Sequence, residues 1–201
     1  MDHSLLWRSK IIAGPHETVS MAALVPLVAA AMFYGYATSN GECAYQRSTV
    51  DGRQYLVLRR ADSAAAANLL AVVRRDLESL VEQVANDHPD DDEAQRLRKK
   101  FNPDAISEGS PGSGYTSYTV DKGARVVLCI RQSNGDFVPK NVVMYVAIHE
   151  LAHIMTSSVG HTPDFWSNNR RLLDAGKAIG VFTPQDFASA PQPYCGMHIT
   201  S

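Results

Sequence analysis

Apolar and polar positions alternate in two different rhythms along the chain. Residues 43–60 carry the two-residue rhythm of strands, Tyr45-Gln-Arg-Ser-Thr-Val and Tyr55-Leu-Val-Leu-Arg-Arg, around Asp51-Gly52. That pair favours the positive-φ backbone of a tight turn, so the segment predicts a β-hairpin. From Asp62 the rhythm becomes helical, with Leu69, Val72, Val73, Leu77, Leu80 and Val84 recurring on one face. The spacing predicts a long helix packed on the core, with Asp62 or Ser63 as its cap. The run that starts at Asp90 is acidic first and basic last through Lys100. This order complements a helix dipole and predicts a short solvated helix.

Residues 102–114 are rich in Pro, Gly and Ser without an apolar period, and predict a loop. Two strands are expected next, Tyr115–Val120 and Ala124–Arg131, joined at Asp121-Lys122-Gly123, with a further turn at Asn134-Gly135. The apolar run from Val142 to Met155 is too long for an ordinary strand and has a helical period, with Asn141 as its expected cap. Another helix is signalled by Thr162 as N-cap, Pro163 at the first helical position and Asp164 in the first turn. Phe165, Leu172, Leu173 and Ile179 form its apolar face, and Gly180 ends it. The fold class expected is α+β, a small antiparallel sheet with helices packed on it.

Between Val19 and Asn40 there is no charged residue, and Met21–Ala37 forms an apolar run of 17 residues. That length lies at the lower limit for a helix crossing a bilayer, where about 20 residues are typical. A single-pass membrane anchor is the leading expectation. A cleaved signal peptide, with small residues at Ala37 and Ser39, and a buried apolar helix are the alternatives. Basic residues flank the run on both sides (Arg8 and Lys10, then Arg47 and Arg53), so orientation is not set by charge. The chain is therefore divided into an N-terminal segment, 1–40, and one domain, 41–201.

Composition narrows the classes. The 201 residues are 45% hydrophobic and 20% charged, enough for one domain with a real core. A formal net charge of -2 offers no basic field for nucleic acid, and none is expected as partner. Cys43, Cys129 and Cys195 are too few for a cysteine zinc ribbon. They fit either one disulfide with a thiol left over or three reduced thiols. No sequence signal speaks to oligomeric state.

The string that carries chemistry is His149-Glu150-Leu151-Ala152-His153. On a helix, positions i and i+4 share a face, so both imidazoles can reach one metal ion. Glu150 projects beside them, where it can take a proton from water without being a ligand. A catalytic zinc site needs a third protein ligand and an open position. His161 is the candidate, eight residues after His153 and directly after Gly160, a residue that lets the chain leave the helix and fold back. His3, His16, His88 and His198 lack such a context and are read as non-ligands, His198 least securely because the C-terminus could return to the site.

Taken together, His149-Glu-Leu-Ala-His153, Gly160-His161 and the following Thr162-Pro-Asp-Phe-Trp166 resemble the WLM and SprT-like zinc metallopeptidases. The resemblance covers roughly residues 115–182. It is similar in style to short WLM-like proteins of large DNA viruses, and Tyr194-Cys195-Gly196-Met197 fits that group. It implies a minimal zincin-like fold, a bound Zn²⁺, a protein or peptide substrate, and an edge strand, Ala124–Arg131, that pairs with that substrate. By analogy with metzincins, Met197 could form a floor beneath the metal; an ordinary packed methionine is the other reading. There are departures. The third histidine lies farther from the second than in metzincins, no zinc ribbon is present, and no basic DNA-binding tail is visible. A peptidase, membrane-anchored and with virion association open, is thus expected, with Glu150 as general base. The alternative is a structural or interaction protein of a membrane or virion built on the same fold.

Overall fold

The computed structural model describes residues 42–109 and 116–200, so the apolar run at 21–37 lies outside the described residues. The hairpin forms as its turn chemistry predicts. Strands β1 (Cys43–Arg47) and β2 (Gln54–Leu58) pair antiparallel with Cys43 opposite Leu58 and Arg47 opposite Gln54. Gly52 takes φ of 73°, and Asp51 accepts from the Tyr55 hydroxyl at 2.6 Å, which closes the turn. The first strand ends at Arg47 because Ser48 turns away. Its backbone accepts from Gly52 N–H while its hydroxyl and the Thr49 N–H meet Asn68 Oδ1.

Helix α1 (Ser63–Asp87) follows. Its buried line runs through Ala66, Leu70, Val73, Leu77, Leu80 and Val84, whereas Leu69 and Val72 of the expected face are half-buried at its flank. Asp62 stands at the cap position but makes no capping hydrogen bond, because its carboxylate is engaged by Arg131. The Ser63 hydroxyl organises the entrance instead, accepting from Arg60 N–H and donating to Leu58 O. Helix α2 (Asp92–Lys100) is capped by Asp91, which accepts from the N–H groups of Glu93 and Ala94, and buries Ala94 and Leu97.

The expected loop at 102–114 contains the largest correction. After a 3₁₀ turn at Pro103–Ala105, residues Ile106–Glu108 form strand β3 in the middle of the sheet. Strands β4 (Tyr118–Val120) and β5 (Arg125–Leu128) complete it in the order β1-β2-β3-β5-β4. β3 runs parallel to both β2 and β5, so the sheet is mixed and not antiparallel throughout. Three residues with a buried Ser and Glu give no strand pattern. What holds them is an ion pair: Glu108, its side chain 1% exposed, accepts from Arg131 Nε at 2.7 Å and from Leu58 N–H at 2.8 Å. Arg131 lies over the Phe137 ring, 4.4 Å from its centroid.

Strand order also corrects the expected edge. β5 is internal, paired to β3 on one side and β4 on the other, and the edge strand at that end of the sheet is β4, with β1 at the opposite edge. The turn between β4 and β5 needs Gly123. Its φ is 113°, and a Cβ there would stand 2.6 Å from Lys100 O, a clash with backbone.

Helix α3 (Lys140–Met155) carries the His-Glu motif through the core, burying Val143, Met144, Ala147, Ile148, Leu151 and Ile154. Asn141 is not its cap. The helix starts after Pro139, and Asn141 instead exchanges two hydrogen bonds with the Thr183 backbone, both 2.8 Å. Helix α4 (Pro163–Ala178) begins as expected, with Thr162 Oγ1 accepting from Phe165 N–H, and Gly180 takes φ of 75° just beyond its end. A C-terminal hairpin not expected from the sequence, β6 (Gln192–Tyr194) and β7 (Met197–Ile199), forms its own two-stranded sheet. A disulfide joins Cys129 to Cys195, and Cys43 is left as a thiol. No helix among the described residues is long and apolar enough to cross a membrane.

Candidate active site

Three histidines converge where α3 ends and α4 begins. His149 and His153 lie one turn apart on α3, and His161 follows Gly160 in the elbow, whose φ of 87° turns the chain back. One ligand atom from each lies within 4.8 Å of the other two. The Nε2 atoms of His149 and His161 are 3.1 Å apart. For tetrahedral zinc with Zn–N bonds of about 2.0–2.1 Å, two ligand nitrogens stand about 3.3 Å apart.

The electrostatics suit a cation. Burial, then the neighbouring imidazoles, lower His149 to about 3. Burial, with His161 and the Lys122 ammonium, lowers His153 to about 4. Burial also lowers His161. All three rings are neutral at pH 7 and can offer lone pairs, the donor set that zinc takes. The three imidazoles therefore fit a zinc ion in chemistry, and the His149–His161 pair fits it in spacing.

Phe165, fully buried, packs against every ring, with centroids 4.8 Å from His149, 4.3 Å from His153 and 4.7 Å from His161. Trp166 stacks on His161 at 5.6 Å and remains 40% exposed. The apolar surface against the histidines is thus Phe165. Met197 sits in β7 opposite Tyr194, half-buried against the core. His198 is exposed on β7, outside the histidine group, and His88 is exposed beyond the end of α1.

Glu150 is buried beside the histidines, and burial pushes its carboxyl up to about 7, although the nearby backbone of Thr119 acts in the opposite direction. Thr119 is the central residue of β4, which packs against α3.

The elbow carrying His161 is held by cations. Lys122 Nζ donates to Thr156 O at 2.9 Å, Ser157 O at 3.3 Å and Ser158 O at 2.8 Å. Arg96 donates to Met155 O at 2.9 Å. These carbonyls lie at the negative end of the α3 dipole, where positive charge is stabilising. Asn168 of α4 adds a bond to Thr156 Oγ1 at 3.0 Å. Neither Thr119 nor Lys122 carried a sequence signal. Thr119 acts through its backbone, and Lys122 reads as an ordinary turn residue until the fold brings 122 against 156–158.

Residues 98–191 match the WLM domain. That stretch is similar to the WLM family, and the chain is similar to a viral protein along most of its length. It is 28% identical over 186 residues to Uncharacterized protein R325 of Acanthamoeba polyphaga mimivirus, covering 90% of this chain and 94% of that one. It is 39% identical over 70 residues to Uncharacterized protein 042R of Invertebrate iridescent virus 3, covering 34% of this chain and 43% of the relative. Its fold superposes on the crystal structure of Wss1 from Saccharomyces cerevisiae with a TM-score of 0.49 and 19% identity, over 62% of this chain and 88% of that chain.

Proposed function

We propose that the chain is a zinc-dependent peptidase, with His149, His153 and His161 holding the metal and Glu150 as general base. The observation that carries this reading is the convergence of three neutral imidazoles beside a buried carboxylate. The WLM match supports it. Zinc, when bound, would supply the Lewis acidity that acidifies water and polarises a carbonyl. Glu150, raised toward neutrality, is suited both to accept a proton from water and to release it to a leaving amine. The adjacent edge strand β4 offers extended backbone on which a peptide could be laid by strand addition.

The test is zinc content and peptide hydrolysis of the full-length protein before and after chelation. Turnover of a peptide library should disappear with a chelator and return with stoichiometric zinc. A zinc-loaded protein that cleaves no faster than the chelated one would reject the reading. The uncharged run Met21–Ala37 supports, as a separate proposal, attachment to a membrane. Retention of full-length protein in membranes through a carbonate wash is the expected result, and release would favour a buried helix.

A further inference from the structure

The C-terminal hairpin closes a ring of contacts at the entrance to the edge strand β4. Tyr194 is 2% exposed, and its hydroxyl oxygen lies 2.6 Å from Ser117 Oγ. Ser117 Oγ also accepts the N–H of Cys129 at 2.9 Å. Cys129 is bonded to Cys195, the neighbour of Tyr194, so hydroxyl, serine and disulfide form one closed circuit. Two residues after Ser117 stands Thr119, in the strand that packs against the helix carrying Glu150. Burial and the nearby Glu150 charge both raise the Tyr194 phenol, which places the two side chains in one electrostatic neighbourhood.

The two strands of the hairpin pair with each other and not with the main sheet. A lone two-stranded hairpin is marginal in water. It is attached by the buried Tyr194 ring, the half-buried Met197 and Ile199 packed on the core, the disulfide, and Gln132, which donates to Pro193 O at 2.6 Å and accepts from Cys195 N–H at 3.1 Å. Conversely, the hairpin is what meets Ser117 at the entrance to the three-residue edge strand β4.

We propose that Tyr194 is a positioning residue for β4 and, through the packing of β4 on α3, for the candidate site, kept in place by the Cys129–Cys195 disulfide, so that the thiol–disulfide state of the chain regulates the site. The inference rests on the peptidase reading for the role of Glu150. In the regulatory step a dithiol reductant gives up two electrons and two protons. The Cys129–Cys195 bond breaks, each sulfur becomes a thiol, and the reductant's two sulfurs join as its own disulfide. The freed hairpin then loses its covalent tie to β5, and the Tyr194–Ser117 contact is no longer enforced.

The experiment follows amide hydrogen exchange of residues 117–120 together with steady-state kinetics, on full-length zinc-loaded protein. In Tyr194→Phe, which keeps the ring, exchange in β4 should rise roughly 10-fold, the effect of one lost hydrogen bond. kcat should fall by a similar factor while KM, zinc content and melting temperature change little. Ser117→Ala should do the same, the double variant should be no worse than either single one, and Ser117→Thr should restore both readouts. Treating wild type with dithiothreitol should reproduce the phenotype. So should Cys129→Ser with Cys195→Ser, and dithiothreitol should add nothing to that pair, which separates disulfide reduction from zinc stripping. Unchanged β4 exchange in folded Tyr194→Phe and Ser117→Ala overturns the inference. If Tyr194→Phe fails to fold, Ser117→Ala and reduced wild type decide by the same readout. Faster β4 exchange in a chain with no turnover upholds the coupling and rejects the peptidase reading instead.

Discussion

The backbone of Thr119, the central residue of the edge strand β4, lies against the carboxylate of Glu150 and favours its charged form, opposing the burial that raises it. Glutamine at position 150 would keep the shape of that side chain but could not take a proton. Glu150→Gln is therefore expected to retain zinc and stability while peptidase turnover falls by about 10²–10⁴-fold, the range of a general base. Metal analysis, thermal melting and single-turnover hydrolysis on the same preparation check this. Wild-type-like cleavage would sink the role of Glu150.

Ligand loss should behave differently. Three protein ligands are the usual number for catalytic zinc, so His153→Ala or His161→Ala should lose the metal along with activity. Inductively coupled plasma measurement of zinc per chain gives the answer, with about one expected in the wild type. Full zinc retention by His161→Ala would mean that another residue supplies the third bond.

Lys122 offers a subtler test. Its ammonium holds three carbonyls of the elbow that carries His161. Lys122→Met keeps much of the stem and removes the charge. We expect zinc affinity to drop by roughly 10-fold, in line with about 1.5 kcal/mol for charge-assisted hydrogen bonds, with the fold intact. Competition with a colorimetric chelator measures it; unchanged affinity would show that the elbow holds without the cation.

Acid should unfold the metal-free protein in a defined window. His149 and His153 sit at about 3 and about 4 in the folded chain, against an ordinary 6.5. Below pH 6.5 the unfolded chain binds protons that the folded one refuses. Their contribution is thus complete above 6.5 and is lost as the pH falls toward 4 and 3. Glu150 works in the opposite sense. It is raised from 4.5 to about 7, so its contribution is complete below 4.5 and is lost as the pH rises through 7. Two histidines outweigh one carboxyl, and the melting temperature should decline from pH 6.5 to 4. Glu150→Gln should decline more steeply. Thermal melts at constant ionic strength would reveal a flat profile if this balance is wrong.

The buried Arg131–Glu108 pair is expected to be costly to break from one side. Arg131→Met leaves the Glu108 charge without its cation and should destabilise by about 3–5 kcal/mol. Adding Glu108→Gln removes that charge yet still accepts the Leu58 N–H, so the double variant should be the more stable of the two. Denaturant midpoints compare them directly.

The parts of this protein legible in its sequence are those set by neighbours along the chain. Asp51-Gly52 specifies a tight turn by backbone sterics. Thr162-Pro163 specifies a helix start by capping, and His149 and His153 share a face because a helix repeats every 3.6 residues. Gly160 marks the elbow because glycine alone enters the left-handed region without a Cβ penalty. Tertiary structure decided what depends on partners distant in sequence. Ile106–Glu108 is a strand because Arg131 neutralises Glu108 in the core, and no local rhythm encodes that pairing. Strand order made β4 the edge and β5 internal, although both read alike. Asp62 and Asn141, good caps by residue type, were diverted to Arg131 and Thr183. Cysteine count left the thiol and disulfide states equally open until the fold set Cys129 beside Cys195. Thr119 came to lie beside Glu150 through a backbone that every residue possesses, so position in space, and not residue type, conferred that proximity.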